Sequence, residues 1–184
     1  RGTARGVADY VIEGGQPTSQ IIGRLVDRGL HDELTGEAYA LIDGTDGRVH
    51  HVRFRGIEDF EHAPPVGGIV EVRRFGQTGD PRPTLVLATR SDLDLKEQVT
   101  ARGATWLDHR LVERDPVPLA VGGFGRETRD AMEARTEHLI QEGLARRHGQ
   151  RIILQRHLLN SLRRRELDEV GAKVSADTGL PYMK

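Results

Sequence analysis

Ala38-Tyr39-Ala40-Leu41-Ile42-Asp43-Gly44-Thr45-Asp46-Gly47-Arg48-Val49-His50-His51-Val52-Arg53-Phe54 decides how the chain is read. Residues 38–43 and 48–54 are two runs of strand length and strand composition. Between them, Gly44-Thr45-Asp46-Gly47 places Gly and Asp where a tight turn needs positive φ. A hairpin is predicted. Working outward toward the C terminus, Pro64-Pro65 break the chain and residues 69–75 read as a third strand. Residues 76–83 make a turn, and 84–89 a fourth strand. Four short strands at hairpin spacing predict a small antiparallel sheet or barrel. Toward the N terminus, Tyr10-Val11-Ile12 is an apolar cluster in a Gly-rich stretch. Thr18 or Ser19 can cap a short helix through Ile21, Ile22, Leu25 and Val26 that ends at Gly29, with an extended segment as the alternative.

The period changes after Ser91-Asp92. Asp92 or Asp94 can cap a helix running toward Trp106, Leu107 and Leu111, with Gly103 inside it. Asp115-Pro116-Val117-Pro118 ends it, and Gly122-Gly123-Phe124-Gly125 reads as loop. A second helix is expected from about Glu127 to Glu142, a short strand at 151–154 past the Gly149 turn, and a last helix over 156–176 that Gly179-Leu180-Pro181 stops. The fold class is α+β. Residues 1–91 form a β-rich part with one short helix, and residues 92–184 a mainly helical part whose hairpin edge resembles a winged helix. In a winged helix the recognition helix precedes the hairpin. Here that is the second helix, which is acidic as often as basic.

Composition narrows the function. Hydrophobic residues are 36% and charged residues 30% of 184, which allows a modest core under charged helices. No apolar run reaches the roughly 18 residues of a membrane span. Cysteine is absent, so disulfides and thiolate metal sites are excluded and a cytoplasmic setting is favoured. Net charge is −1, so any grip on phosphate must come from local patches. Aromatic residues are only 4%, which argues against a broad base-stacking platform. The chain opens Arg1-Gly2-Thr3, with neither an initiator Met nor a signal peptide, as expected of an interior piece of a longer protein.

Sites for catalysis are not apparent. His50 and His51 adjoin on a strand and point to opposite faces, so they do not converge on one metal. One is expected outward and the other half-buried. His31, His62, His109, His138, His148 and His157 are scattered, without a helical His pair. No Gly-x-Ser-x-Gly occurs. Of the three tyrosines, Tyr39 sits in an apolar run and is expected in the core, while Tyr10 and Tyr182 lie near the ends, so none is taken as a nucleophile. Gly122–Gly125 can offer amides to an anion at a helix N terminus but lacks the Lys-Ser/Thr of a phosphate loop, and a plain interhelical loop is the expectation. No catalytic, cofactor or metal residue is assigned. The basic clusters carry the functional signal. Arg146, Arg147, His148, Arg151 and Arg156 surround the Gly149 turn, and Arg163 and Arg164 follow with Arg165. These are the candidate nucleic-acid contacts. The competing expectation for Arg164 and Arg165 is a solvated ion pair with Asp168 and Glu169, four residues on.

Three ordered stretches resemble one family. The first holds Ala8-Asp9-Tyr10-Val11-Ile12, Ile22-Gly23-Arg24-Leu25-Val26, Gly29-Leu30, Tyr39, Ile42-Asp43-Gly44, Asp46-Gly47-Arg48 and His50. The second holds Gln98-Val99-Thr100 and Gly103-Ala104-Thr105-Trp106-Leu107-Asp108. The third holds Gly143-Leu144-Ala145, Gln150-Arg151, Leu158-Leu159, Leu162-Arg163-Arg164-Arg165-Glu166-Leu167 and Thr178-Gly179-Leu180-Pro181. Together they resemble the domain of unknown function that follows the nickase domain in bacterial conjugative relaxases, the mobilization nucleases. The resemblance implies a non-enzymatic segment, with the nicking Tyr and metal-binding His residues in a separate N-terminal domain. It implies a bacterial cytoplasmic protein able to travel with the transferred strand. The implied partners are single-stranded or transfer-origin DNA, or the coupling ATPase of a type IV secretion channel, without membrane insertion and without a cofactor in this segment. A purely structural or protein-interaction domain is the alternative.

Overall fold

A computed structural model describes residues 10–13, 20–62, 64–76 and 84–178. The predicted cap at Thr18 or Ser19 and the stop at Gly179-Leu180-Pro181 lie outside them. The chain is α+β and divides into two compact units, residues 1–94 with 117–130, and residues 95–116 with 131–184.

The first unit is built on one sheet. Its strands are β1 (Tyr10–Glu13), β2 (Ile21–Asp32), β3 (Glu37–Gly44), β4 (Val49–Phe54), β5 (Ile69–Phe75) and β6 (Thr84–Ser91), in the order β1-β4-β3-β2-β5-β6. Five strands are antiparallel and β1 is parallel to β4. The sheet is not a closed barrel. A 3-10 turn at Ile57–Asp59 leads to Phe60, which bridges Leu87 in parallel. The strand period of two decides which side chains enter the core. Ala38, Ala40 and Ile42 point inward from β3, Val52 and Phe54 from β4, and they pack with Leu25, Val70, Val72, Leu85 and Leu87.

The short helix predicted through Ile21–Val26 is instead the first half of β2. Extended pairing wins because β2 has two partners there, β5 along Ile21–Arg24 and β3 from Gly23 onward. Gly23 makes that packing possible, since any Cβ at this position would collide with the carbonyl oxygen of Asp43. Tyr39, expected in the core, faces the other way. Ala38 and Ala40 occupy the inner positions, and Tyr39 stands on the opposite face with its hydroxyl donating to Asp27 Oδ2 at 2.8 Å.

The second unit holds α1 (Leu95–Val99), α2 (Trp106–Val112), the C-terminal part of α3 (Gly123–Gln141), the hairpin β7 (Ala145–His148) and β8 (Arg151–Leu154), and α4 (Leu158–Thr178). The single helix expected from Asp92 or Asp94 to Leu111 is two helices. Thr105 starts the second with a capping box, its hydroxyl taking the Asp108 N–H and the Asp108 carboxylate taking the Thr105 N–H at 2.8 Å. Helix α3 begins at Gly123, earlier than expected, because Phe124 is drawn into fully buried packing. Leu139, Leu144, Ala145, Leu158 and Leu162 form the apolar core of this unit.

Arg135 of α3 fixes the turn between α1 and α2. Its side chain is 0% exposed and reaches both Asp108 carboxylate oxygens at 2.9 Å. It also donates to the carbonyls of Val99 at 3.2 Å, Ala101 at 2.6 Å and Gly103 at 3.0 Å. Removing one partner of such a pair strands a buried charge. The Asp108→Ala variant is expected to lose about 3–5 kcal/mol of unfolding free energy in urea titration. A loss within about 0.5 kcal/mol, the range of ordinary surface changes, would show that the pair is not the anchor.

Candidate nucleic-acid interface

The basic turn predicted around Gly149 is a two-stranded hairpin. Its register pairs Ala145 with Leu154, Arg146 with Ile153, Arg147 with Ile152 and His148 with Arg151. Gly149 has φ 64°, and a left-handed Gly at the first of two loop residues matches the II′ turn that suits strand twist. Strand β7 escaped the sequence reading because Ala-Arg-Arg-His lacks β-branched and aromatic residues. It forms because Ala145 and Leu154 are tied to the Leu139, Leu158 and Leu162 core.

The pleat sorts the candidate residues. Arg146, His148, Arg151 and Ile153 share one exposed face. Arg147 lies on the other face, with Ala145, Ile152 and Leu154, and ion-pairs with Glu137 of α3. Among the described residues, no carboxylate forms an ion pair with Arg146, Arg151 or Arg156. Arg156 is exposed between β8 and α4. Arg163 and Arg164 are exposed on α4, where Arg163 donates to Asn160 Oδ1 at 3.3 Å. The ion pair expected between Arg165 and Glu169 is replaced. Arg165 reaches Glu142 at 2.8 Å, and Glu169 takes Arg102 at 3.3 Å. The half of α3 nearest the hairpin in sequence exposes Glu133 and Glu137, so its solvent side repels phosphate.

The two adjacent histidines do lie on opposite faces. His50 is buried and its Nε2 is 2.8 Å from Asp46 Oδ2. Burial pushes the Asp46 carboxyl up, but the His50 hydrogen bond, the Arg48 amide and the positive charges of His50 and Arg48 outweigh it, leaving Asp46 below its ordinary value. His51 is half-buried on the face that also carries Tyr39. The two rings stack with centroids 5.4 Å apart and planes 5° apart. Sequence reasoning missed this pair. The alternation Ala38-Tyr39-Ala40 was the signal, since small residues at inner positions leave the large ring outside.

Elsewhere in the first unit, the segment 117–130 covers one end of the sheet. Glu127 takes the Arg24 guanidinium at 3.1 Å, Arg24 lies 4.8 Å above the Phe124 ring, and Arg24 reaches Asp43 at 3.3 Å. The Gly122–Gly125 stretch, read as an interhelical loop, contributes the start of α3 to this cover. Among the described residues, no group of three or more His, Asp or Glu is placed to hold a metal, and no helix is long and apolar enough to cross a membrane.

These features define an α+β protein with a basic hairpin and a half-buried stacked pair of rings, Tyr39 and His51. Residues 3–84 and 81–184 match the family described as "Protein of unknown function (DUF3363)", so the chain belongs to that family. No curated protein and no solved structure matches it.

Burial, then the charges of Arg53 and His31, push the His51 imidazole below its ordinary value of 6.5. A depressed His pKa contributes stability that is present above 6.5 and is lost as pH falls toward the folded value. The wild type is therefore expected to lose urea stability below pH 6.5 more steeply than His51→Phe, which keeps a ring but cannot titrate. Parallel pH profiles for the two proteins would remove the His51 imidazole as the cause.

Proposed function

We propose that this segment is a non-catalytic accessory part of a conjugative relaxase and contacts DNA through the β7–β8 hairpin. The observation that carries the reading is the exposed face of Arg146, His148 and Arg151, whose arginines have no carboxylate partner among the described residues. Cations held at fixed spacing on a short hairpin suit successive phosphates. Such contacts position a protein on the backbone without reading sequence. Glu133 and Glu137 disfavour entry of α3 into a groove, so the hairpin, with Arg156 and the exposed Arg163 and Arg164, is the contact element and the helix is its support. The relaxase setting rests on the resemblance of the three sequence stretches. In that setting the nicking chemistry belongs to another domain, and this segment steadies the DNA or presents a surface to the secretion machinery.

A protein-interaction role is the second reading. Ile152 and Ile153 on the hairpin and Leu167 and Val170 on α4 are exposed, and apolar side chains of this kind serve protein contacts better than phosphate contacts.

Fluorescence anisotropy with labelled single-stranded and duplex DNA separates the two. The wild type is expected to bind at low salt, with log K falling linearly in log salt. The double variant Arg146→Glu, Arg151→Glu is expected to weaken binding to all sequences alike and to flatten the salt slope by roughly 1.4–1.8, two phosphate contacts' worth. Absence of wild-type binding at micromolar protein and low salt would discard the DNA reading in favour of the protein-interaction one.

A further inference from the structure

The outer face of the first sheet carries a group of rings that the hairpin reading leaves unused. Tyr39 of β3 and His51 of β4 stack there, and His31 of β2 meets His51 edge-on at 6.3 Å. The ledge is held in place. The Tyr39 hydroxyl donates to Asp27, and its ring lies against Gly29, where a Cβ would come within 3.2 Å of it. Arg53 sits opposite Tyr39 in the β3–β4 register and is exposed. At the other end of this face the Phe124 and Glu127 cover closes over Arg24 and Asp43. At the Tyr39 end, Asp27, His31 and Arg53 are exposed, and Tyr39 and His51 partly so.

The connectivity places this ledge on a meaningful face. A meander β2-β3-β4 is followed by β5 on the far side of β2 and then β6, with the long strand β2 shared between β3 and β5. A parallel bridge joins Phe60, which follows β4, to Leu87 of β6. Apart from β1, which adds in parallel at the edge of β4, the order β4-β3-β2-β5-β6 is that of the five-stranded OB barrel, here unclosed. In that architecture the face of the second and third strands takes oligonucleotides. Those strands correspond to β3 and β4, which carry Tyr39, His51 and Arg53.

We propose that the β3–β4 face binds single-stranded nucleic acid, with an unpaired base stacking on the Tyr39–His51 ledge and Arg53 holding the adjoining phosphate. Every base has a π-face, so such stacking tolerates any sequence. A duplex keeps its bases stacked on each other and cannot offer one without opening. The depressed pKa of His51 keeps its ring uncharged at neutral pH, which spares the stack a desolvation cost. A composition with 4% aromatic residues does not build a long platform, but two rings brought together by register suffice for one base.

The test uses the whole chain and an oligothymidylate of about 12 nucleotides, within the site size of roughly 4–16 for such a fold, bearing one central 2-aminopurine. Wild-type protein is expected to quench the 2-aminopurine and to bind the single strand more tightly than the same sequence as duplex. Tyr39→Ala is expected to lose about one to two orders of magnitude in affinity together with the quench, while Tyr39→Phe keeps both. Arg53→Glu, a change at an exposed position that the fold tolerates, is expected to weaken binding and keep the quench of the bound state. A pair of oligodeoxyuridylate and oligouridylate, which differ at the sugar alone, distinguishes the source: equal affinity means a general single-strand site, and preference for either sugar assigns it to DNA or RNA. Wild-type affinity in both Tyr39→Ala and Arg53→Glu, or no quench in wild type, overturns the proposal. If the Arg146→Glu, Arg151→Glu variant alone weakens binding, the hairpin reading survives and this one does not. If that variant binds as wild type while Tyr39→Ala fails, the reverse holds.

Discussion

A guanidinium removed from water needs its donors met, and each unit holds an arginine bound in this way: Arg135, wholly buried, in the second, and Arg24, 17% exposed, in the first. Arg135 is wholly buried, and five oxygens accept from it: two on Asp108 and the carbonyls of Val99, Ala101 and Gly103. The turn between α1 and α2 has the shape that brings those carbonyls together. Asp108 in turn caps α2 through Thr105, so one carboxylate serves the helix start and the buried cation at once. In the first unit, Arg24 is shared by Asp43 and Glu127 and lies over Phe124, which ties the segment 117–130 to the sheet. Leaving either cation unpaired costs more than its pair contributes over apolar replacements. Such groups therefore act as determinants of geometry more than as sources of stability.

The hairpin of residues 38–54 was legible because its signals agree: two runs of strand length joined by a turn with Gly and Asp. The first half of β2 was not. Ile21-Ile22-Gly23-Arg24-Leu25-Val26 fits a helix stripe and a strand equally, and the decision came from two partner strands remote in sequence. Arg135 could not have been singled out, since Ala134-Arg135-Thr136 looks like any solvated turn of a polar helix. Its role is set by carbonyls more than 30 positions away. The basic turn was found from charge density alone, but charge density says nothing about faces. The pleat separates Arg147 from Arg146, His148 and Arg151, and register is a property of the folded pair rather than of either strand.

The same pleat produced the ring ledge. Ala38 and Ala40 hold inner positions of β3, and the large ring between them has only the outer face to occupy. The inner positions of β3 take Ala38, Ala40 and Ile42, and the Tyr39 ring is left on the outer face beside His51. The hairpin in the second unit obeys a related logic, with Ala145 and Leu154 rooted in the core and alternate cations left outward. Each candidate surface is the obverse of a buried one.

The first unit is discontinuous in sequence, and this bears on how it is made. A polypeptide leaves the ribosome from its N terminus. When Ser91 has emerged, the six strands are complete, but the residues that close over Arg24 and Asp43 have yet to emerge. Between them come residues 95–116, which belong to the other unit. The nascent sheet therefore waits with one polar end open until about 40 further residues have followed, a delay of a few seconds at ordinary elongation rates. A fragment cut after Asp94 would keep that unfinished end permanently, so the boundary visible in the strands is not the boundary at which the unit can be divided.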